Sequence, residues 1–138
     1  MTTTICFGRF RLIHTGHLSI FDNCDIVFMS ETSRETDSVE VARELGYNAQ
    51  YARTVVTAIE SVEDDNIILI VGEDRANMVS LERSFPQLRV IVMPRPEGAA
   101  SSTACRALIA EGGDLVAAGL ANSQFHAELI NQQYLMEC

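Results

Sequence analysis

Four short runs of uninterrupted apolar residues divide the chain: residues 4–7, closing on Gly8, then 26–29, 67–71 and 90–93. None alternates with a period of two. Each therefore suits a strand covered on both faces, the condition of a parallel sheet held between helical layers. Apolar residues recur at helical spacing over residues 18–24, 39–45, 51–62, 78–85, 104–110 and 125–135. The alternation of strand and helix predicts a right-handed α/β fold. Gly46 and the pair Gly112-Gly113 follow helical stretches and read as left-handed helix stops. Residues 30–37, Ser-Glu-Thr-Ser-Arg-Glu-Thr-Asp, carry so little apolar content that they read as a mobile loop. In an open parallel sheet a ligand sits beyond the carboxyl ends of the strands, which directs attention to the residues after 7, 29, 71 and 93.

Composition narrows the picture. A length of 138 residues suits one domain, residues 1–138, with no repeat or linker. The formal charge of −9 argues against a broad nucleic-acid or anionic-membrane face, so an anionic ligand has to be met by a local pocket. All ten basic residues are arginine, which excludes chemistry that needs a lysine amine. Cys6, Cys24, Cys105 and Cys138 form no CxxC pair and no zinc spacing, and read as reduced thiols of a cytoplasmic protein. No metal-ligand set is expected from side chains. The N-terminus has no export pattern, and the densest apolar run, residues 67–71, is too short to span a bilayer.

Candidate chemistry clusters after the first and last strands. After the first lies Gly8-Arg9-Phe10-Arg11-Leu12-Ile13-His14-Thr15-Gly16-His17, with two of the three histidines. Gly8 allows close backbone approach to a ligand, and Gly16 at a helix start is expected to leave N–H groups free for an anion. The two imidazoles can donate to phosphate oxygens. After the last strand, Ser101-Ser102-Thr103 opens a helix, one hydroxyl capping it and the others free to hold phosphate, with Arg106 a turn further on. His126, in the last helical stretch, reads as a surface residue without a role.

His14-Thr15-Gly16-His17 resembles the HxGH motif of the nucleotidyltransferases, and Ser101-Ser102-Thr103-Ala104-Cys105-Arg106 resembles their ISSTxxR signature. The likeness runs from about Ile5 to Leu135 and is strongest toward nicotinamide-mononucleotide and pantetheine-phosphate adenylyltransferases. It implies a three-layer Rossmann-like domain with five parallel strands. It also implies transfer of a nucleoside monophosphate, AMP favoured, from a triphosphate to a small phosphorylated acceptor, with release of pyrophosphate. In family terms His17 would contact the α-phosphate and His14 the triphosphate. Ser101, Ser102, Thr103 and Arg106 would hold the outer phosphates, and Mg²⁺ would accompany the nucleotide. Gly72 and Asp74, in Gly72-Glu73-Asp74-Arg75, resemble the segment near base and ribose. Cation duty falls to Arg9, Arg11, Arg95 and Arg106. Because the chain has no tryptophan, Phe10, Tyr47 or another aromatic would stack on a ligand ring. Arg95-Pro96-Glu97-Gly98 resembles the RTxGIST pattern of cytidylyltransferases, which act on polyol or amino-alcohol phosphates and mark the alternative activity. A nucleotide-binding regulator without turnover is a further alternative, and the family's habit of assembling through helices implies a homo-oligomer.

Overall fold

The computed structural model describes residues 1–95 and 98–137; Pro96 and Glu97, within the cytidylyltransferase-like segment, and the Cys138 thiol lie outside the described residues. Strands β1 (Thr2–Gly8), β2 (Ile26–Met29), β3 (Ala49–Tyr51), β4 (Asn66–Gly72) and β5 (Leu88–Met93) form one sheet in the order β3-β2-β1-β4-β5. Every neighbouring pair is parallel. Central β1 pairs on both sides, Ile5 lying opposite Ile26 and opposite Leu69. The chain builds outward from β1 to β3 and then returns to the far side of β1. The connections leaving β1 and β4 therefore part in opposite directions and open a crevice above their carboxyl ends.

Helices cover both faces, which is why the strand sequences do not alternate. Cys6, Val27 and Met29 pack with residues of α1 (Thr15–Phe21), α2 (Ser38–Glu44) and α5 (Gln124–Met136), notably Leu18, Phe21, Val39 and Leu129. Ile5, Phe28, Ile67, Leu69 and Val71 point the other way, onto Ala58 and Ile59 of α3 (Val55–Glu60) and onto Met78, Leu81 and Phe85. A third cluster joins Leu12, ahead of α1, to Cys105 of α4 (Ser102–Ala110), to Leu115 and Leu120, and to Ile130 of α5. Among the described residues no helix is long and apolar enough to cross a membrane.

Gly46 and Gly112 adopt φ of +98° and +72°, the left-handed conformation expected of helix stops. Three expectations need correcting. The fifth strand, β3, is only three residues long with Gln50 exposed and leaves no apolar run, and the helical stretch expected from residue 51 takes in its last residue, Tyr51; α3 starts later, where the Thr54 hydroxyl accepts from the Thr57 N–H at 3.1 Å. The stretch around residues 78–85 belongs to a 3-10 segment, Glu73–Arg83, with non-helical geometry at Arg75. Residues 30–37 do not form an unpacked loop. Glu31–Thr36 is a 3-10 helix with Ser33 and Thr36 wholly buried, because the Ser33 hydroxyl finds the Arg9 carbonyl and the Thr36 hydroxyl finds that of Ser38 in place of apolar contacts.

Candidate active site

The crevice between β1 and β4 is a cleft of about 310 Å³. Gly8 and Gly72, the last residues of the two strands, form its floor, and Asp74 and Arg75 form one wall. Arg9, Phe10, Arg11 and His17 come from the segment after β1, and Ser102 and Arg106 come from α4. Residues nearly a hundred positions apart in the chain thus share one cavity. Four of the ten arginines line it, in a protein of net charge −9, and two of the four, Arg11 and Arg106, are paired with glutamates.

His14 begins α1 as its N-cap: Nδ1 accepts from the Gly16 N–H at 3.1 Å. An accepting Nδ1 in a neutral ring leaves the proton on Nε2. The ring stacks on His17 with centroids 3.8 Å apart and planes 19° from parallel. Burial, the Arg95 charge and His126 push His14 down to about 4, from an ordinary 6.5. His17 is also held well below its ordinary value, by burial first, then by His14 and, to a smaller extent, by Arg95, while the Leu12 carbonyl acts the other way. Near pH 7 both rings are neutral, each with one nitrogen able to donate; His17 lines the cleft, whereas His14, stacked on it, does not. Nδ1 of His17 is buried without a hydrogen-bond partner among the described residues.

Phe10 sits at φ +27°, in the region disfavoured for side-chain-bearing residues. Its ring meets His17 and Phe21 edge-on, at centroid distances of 5.0 and 4.9 Å. Gly8 makes this possible, since a Cβ there would lie 2.8 Å from the Phe10 ring. Gly72 is likewise confined, a Cβ there lying 3.0 Å from Asp74 Oδ1.

Several expected roles change. Gly16 does not present free amides: its N–H is bound by His14, the Thr15 N–H reaches the Leu120 carbonyl at 3.1 Å, and the His17 N–H reaches the His14 carbonyl at 3.0 Å. Ser101 is the N-cap of α4, accepting from the Ala104 N–H at 3.0 Å, while Ser102 faces the cleft. Thr103, about 100° further round the helix, is exposed and outside the cavity. Arg106 lines the cleft but grips Glu137 in a bidentate pair, with Nε at 2.8 Å and Nη2 at 2.6 Å. Arg11 pairs with Glu35. Arg95 is exposed and outside the cleft, donating to the Ala100 carbonyl at 3.3 Å. Tyr47 packs on Phe21 away from the cavity.

His126 is the clearest reversal. It is 1% exposed; Nδ1 accepts from the Asn122 N–H at 3.0 Å and Nε2 donates to the Ile13 carbonyl at 2.7 Å. Sequence reasoning missed Arg75 and Gln133 as well. Arg75 adjoins the Gly72-Glu73-Asp74 turn and was open to notice. Gln133 binds residues about a hundred positions away, which local sequence cannot show.

The structure is an α/β protein of the Rossmann-like class with a cleft at the reversal of strand order, where open parallel sheets usually bind ligands. A solved structure from Vibrio parahaemolyticus, provisionally identified as a nicotinate-nucleotide adenylyltransferase, has the same fold. The match has a TM-score of 0.61 and covers 97% of this chain and 96% of that one, at 18% sequence identity. No family model and no curated protein matches the sequence.

Proposed function

We propose that the protein is a nucleotidyltransferase that moves a nucleoside monophosphate, AMP in preference to CMP, from its triphosphate to a small phosphorylated acceptor. The observation that carries this reading is the meeting of His17, Ser102 and Arg106 in one arginine-rich cleft at the switch point. An acceptor phosphate oxygen attacks the α-phosphorus, the bond to the β-phosphate bridging oxygen breaks, and pyrophosphate leaves. Nothing need be bonded to the protein on the way, so the chain's work is alignment and charge stabilisation. His17 Nε2 donates to the α-phosphate as negative charge grows there. Ser102 and the cleft arginines hold the outer phosphates. The nicotinate nucleotide named for the Vibrio structure makes pyridine mononucleotides the first acceptors to try, with phosphopantetheine and polyol phosphates next.

Mg²⁺ fits this cleft as a companion of the substrate. Among the described residues Asp74 is the only carboxylate lining it, and Mg²⁺ commonly takes one or two carboxylates, with phosphate oxygens and water completing its octahedron. Bound there, the ion would offset phosphate charge.

Pyrophosphate release, measured with Mg²⁺, ATP or CTP and this acceptor panel, tests the reading. Turnover is expected with at least one pair, and His17→Ala is expected to lower it by about 10²- to 10³-fold, the loss usual for an oxyanion-type donor. No release across the panel from folded protein would refute it. The bidentate Arg106–Glu137 pair favours a second reading, a nucleotide-binding regulator without turnover, because it leaves one phosphate ligand neutralised by the protein itself. Tight triphosphate binding without pyrophosphate release would select that reading.

A further inference from the structure

The described residues include six buried polar side chains: His14, Ser33, Thr36, Ser38, His126 and Gln133. A buried polar group costs stability unless it is bonded, so what these groups bond to is informative. Four of them bind the backbone of residues 9–13, the segment that leads from β1 into His14. Ser33 donates to the Arg9 carbonyl, and Ser38 donates to the Phe10 carbonyl at 2.6 Å. Gln133 Oε1 accepts from the Ile13 N–H at 3.0 Å, and His126 Nε2 donates to the Ile13 carbonyl at 2.7 Å. Thr36 shares a hydrogen bond with Ser38 at 2.9 Å, and Gln133 Nε2 donates to the Thr36 carbonyl at 3.1 Å, closing the network.

The segment held this way contains Phe10, whose φ of +27° is strained and persists only where its surroundings fix it. Its ring in that conformation packs edge-on against His17. Ile13, held at both its N–H and its carbonyl by two side chains of α5, is bonded directly to His14. We propose that His126 and Gln133 are positioning residues: from α5 they fix Ile13, and through it the stacked His14–His17 pair, in the geometry the cleft uses. This rests on the nucleotidyl-transfer reading above. Neither residue reaches the cleft, so both act through the backbone of residues 9–13.

The test compares His126→Leu, which removes both ring bonds, with His126→Gln, whose amide can still donate to the Ile13 carbonyl and accept from the Asn122 N–H. Ile59→Ala, in the core on the opposite face of the sheet, supplies a loss of stability remote from the loop. Ser38→Ala, a gentler cut at Phe10, serves if His126→Leu does not fold. The readouts are melting midpoint, kcat and KM for ATP in pyrophosphate release, and the imidazole NMR resonances of His14 and His17. The expectation is a kcat loss of about ten- to hundredfold in His126→Leu, since misplacing a reacting group by about 1 Å costs on the order of 10²-fold. KM should change less than kcat, His126→Gln should recover most of the loss, and Ile59→Ala should lower the melting midpoint without the kcat loss. In His126→Leu the His17 resonances should move; in Ile59→Ala they should stay. Equal kcat loss in Ile59→Ala and His126→Leu at matched stability, or unmoved His17 resonances, would overturn the proposal. Absence of turnover in the unmutated protein would instead count against the reaction, and the resonances would still decide the positioning role.

Discussion

A histidine that caps a helix through its ring nitrogen must keep that nitrogen unprotonated, so His14 couples the start of α1 to pH. Its folded value of about 4 lies below the ordinary 6.5, mainly because the ring is buried. As pH falls below 6.5 the unfolded chain takes up this proton first. The stability gained by keeping His14 neutral is thus complete above 6.5 and drains away as pH falls toward 4, by on the order of 3 kcal/mol. His17 and His126 are shifted the same way and add to the slope. Glu31 and Glu137 are lowered from 4.5, so their loss begins further down. The melting midpoint should therefore drop between pH 6.5 and 4.5, and His14→Asn, which can still cap, should flatten the profile; a flat profile in the unmutated protein would contradict the burial of these rings. The HxGH pair was legible because its residues are three apart. The cap, the stack and the His126 bond were not, since each depends on how the backbone folds back.

Helix α4 separates two hydroxyls that adjoin in sequence. Ser101→Ala removes the cap and should cost about 1 kcal/mol, read as a lower melting midpoint. Ser102→Ala should leave the midpoint within about 0.5 kcal/mol, as surface changes usually do, and weaken ATP binding in calorimetry. The reverse pattern would mean that the cap and the ligand contact have been exchanged. Arg106 of the same helix is held by Glu137, at the C-terminal end of α5; if that carboxylate competes with phosphate, Glu137→Gln should tighten ATP binding several-fold, each tenfold being about 1.4 kcal/mol. Weaker binding would show that Glu137 orients Arg106 for the ligand. Apolar runs such as 26–29 and 67–71 marked their strands because burial on both faces leaves a continuous signature. β3 left none: three residues at a sheet edge, one exposed, carry too little pattern. Residues 30–37 misled for the opposite reason, since they pack through hydroxyls, which hydropathy reads as solvent-facing.

At the scale of the whole molecule, the order β3-β2-β1-β4-β5 does what no single motif can. It brings the segment after β1, the turn after β4 and the start of α4 to one opening. Net charge gave no hint of an anion site, because an excess of acidic residues elsewhere masks the four arginines gathered there. On the proposed function this opening receives a nucleoside triphosphate. A crystal structure with a non-hydrolysable ATP analogue tests it most directly. The account predicts the α-phosphate within hydrogen-bonding distance of His17 Nε2 and the outer phosphates against Ser102 and Arg106, with Glu137 displaced. Nucleotide bound elsewhere, for instance in the hollow between Ala100 and Leu120, with the cleft between β1 and β4 left empty, would contradict it.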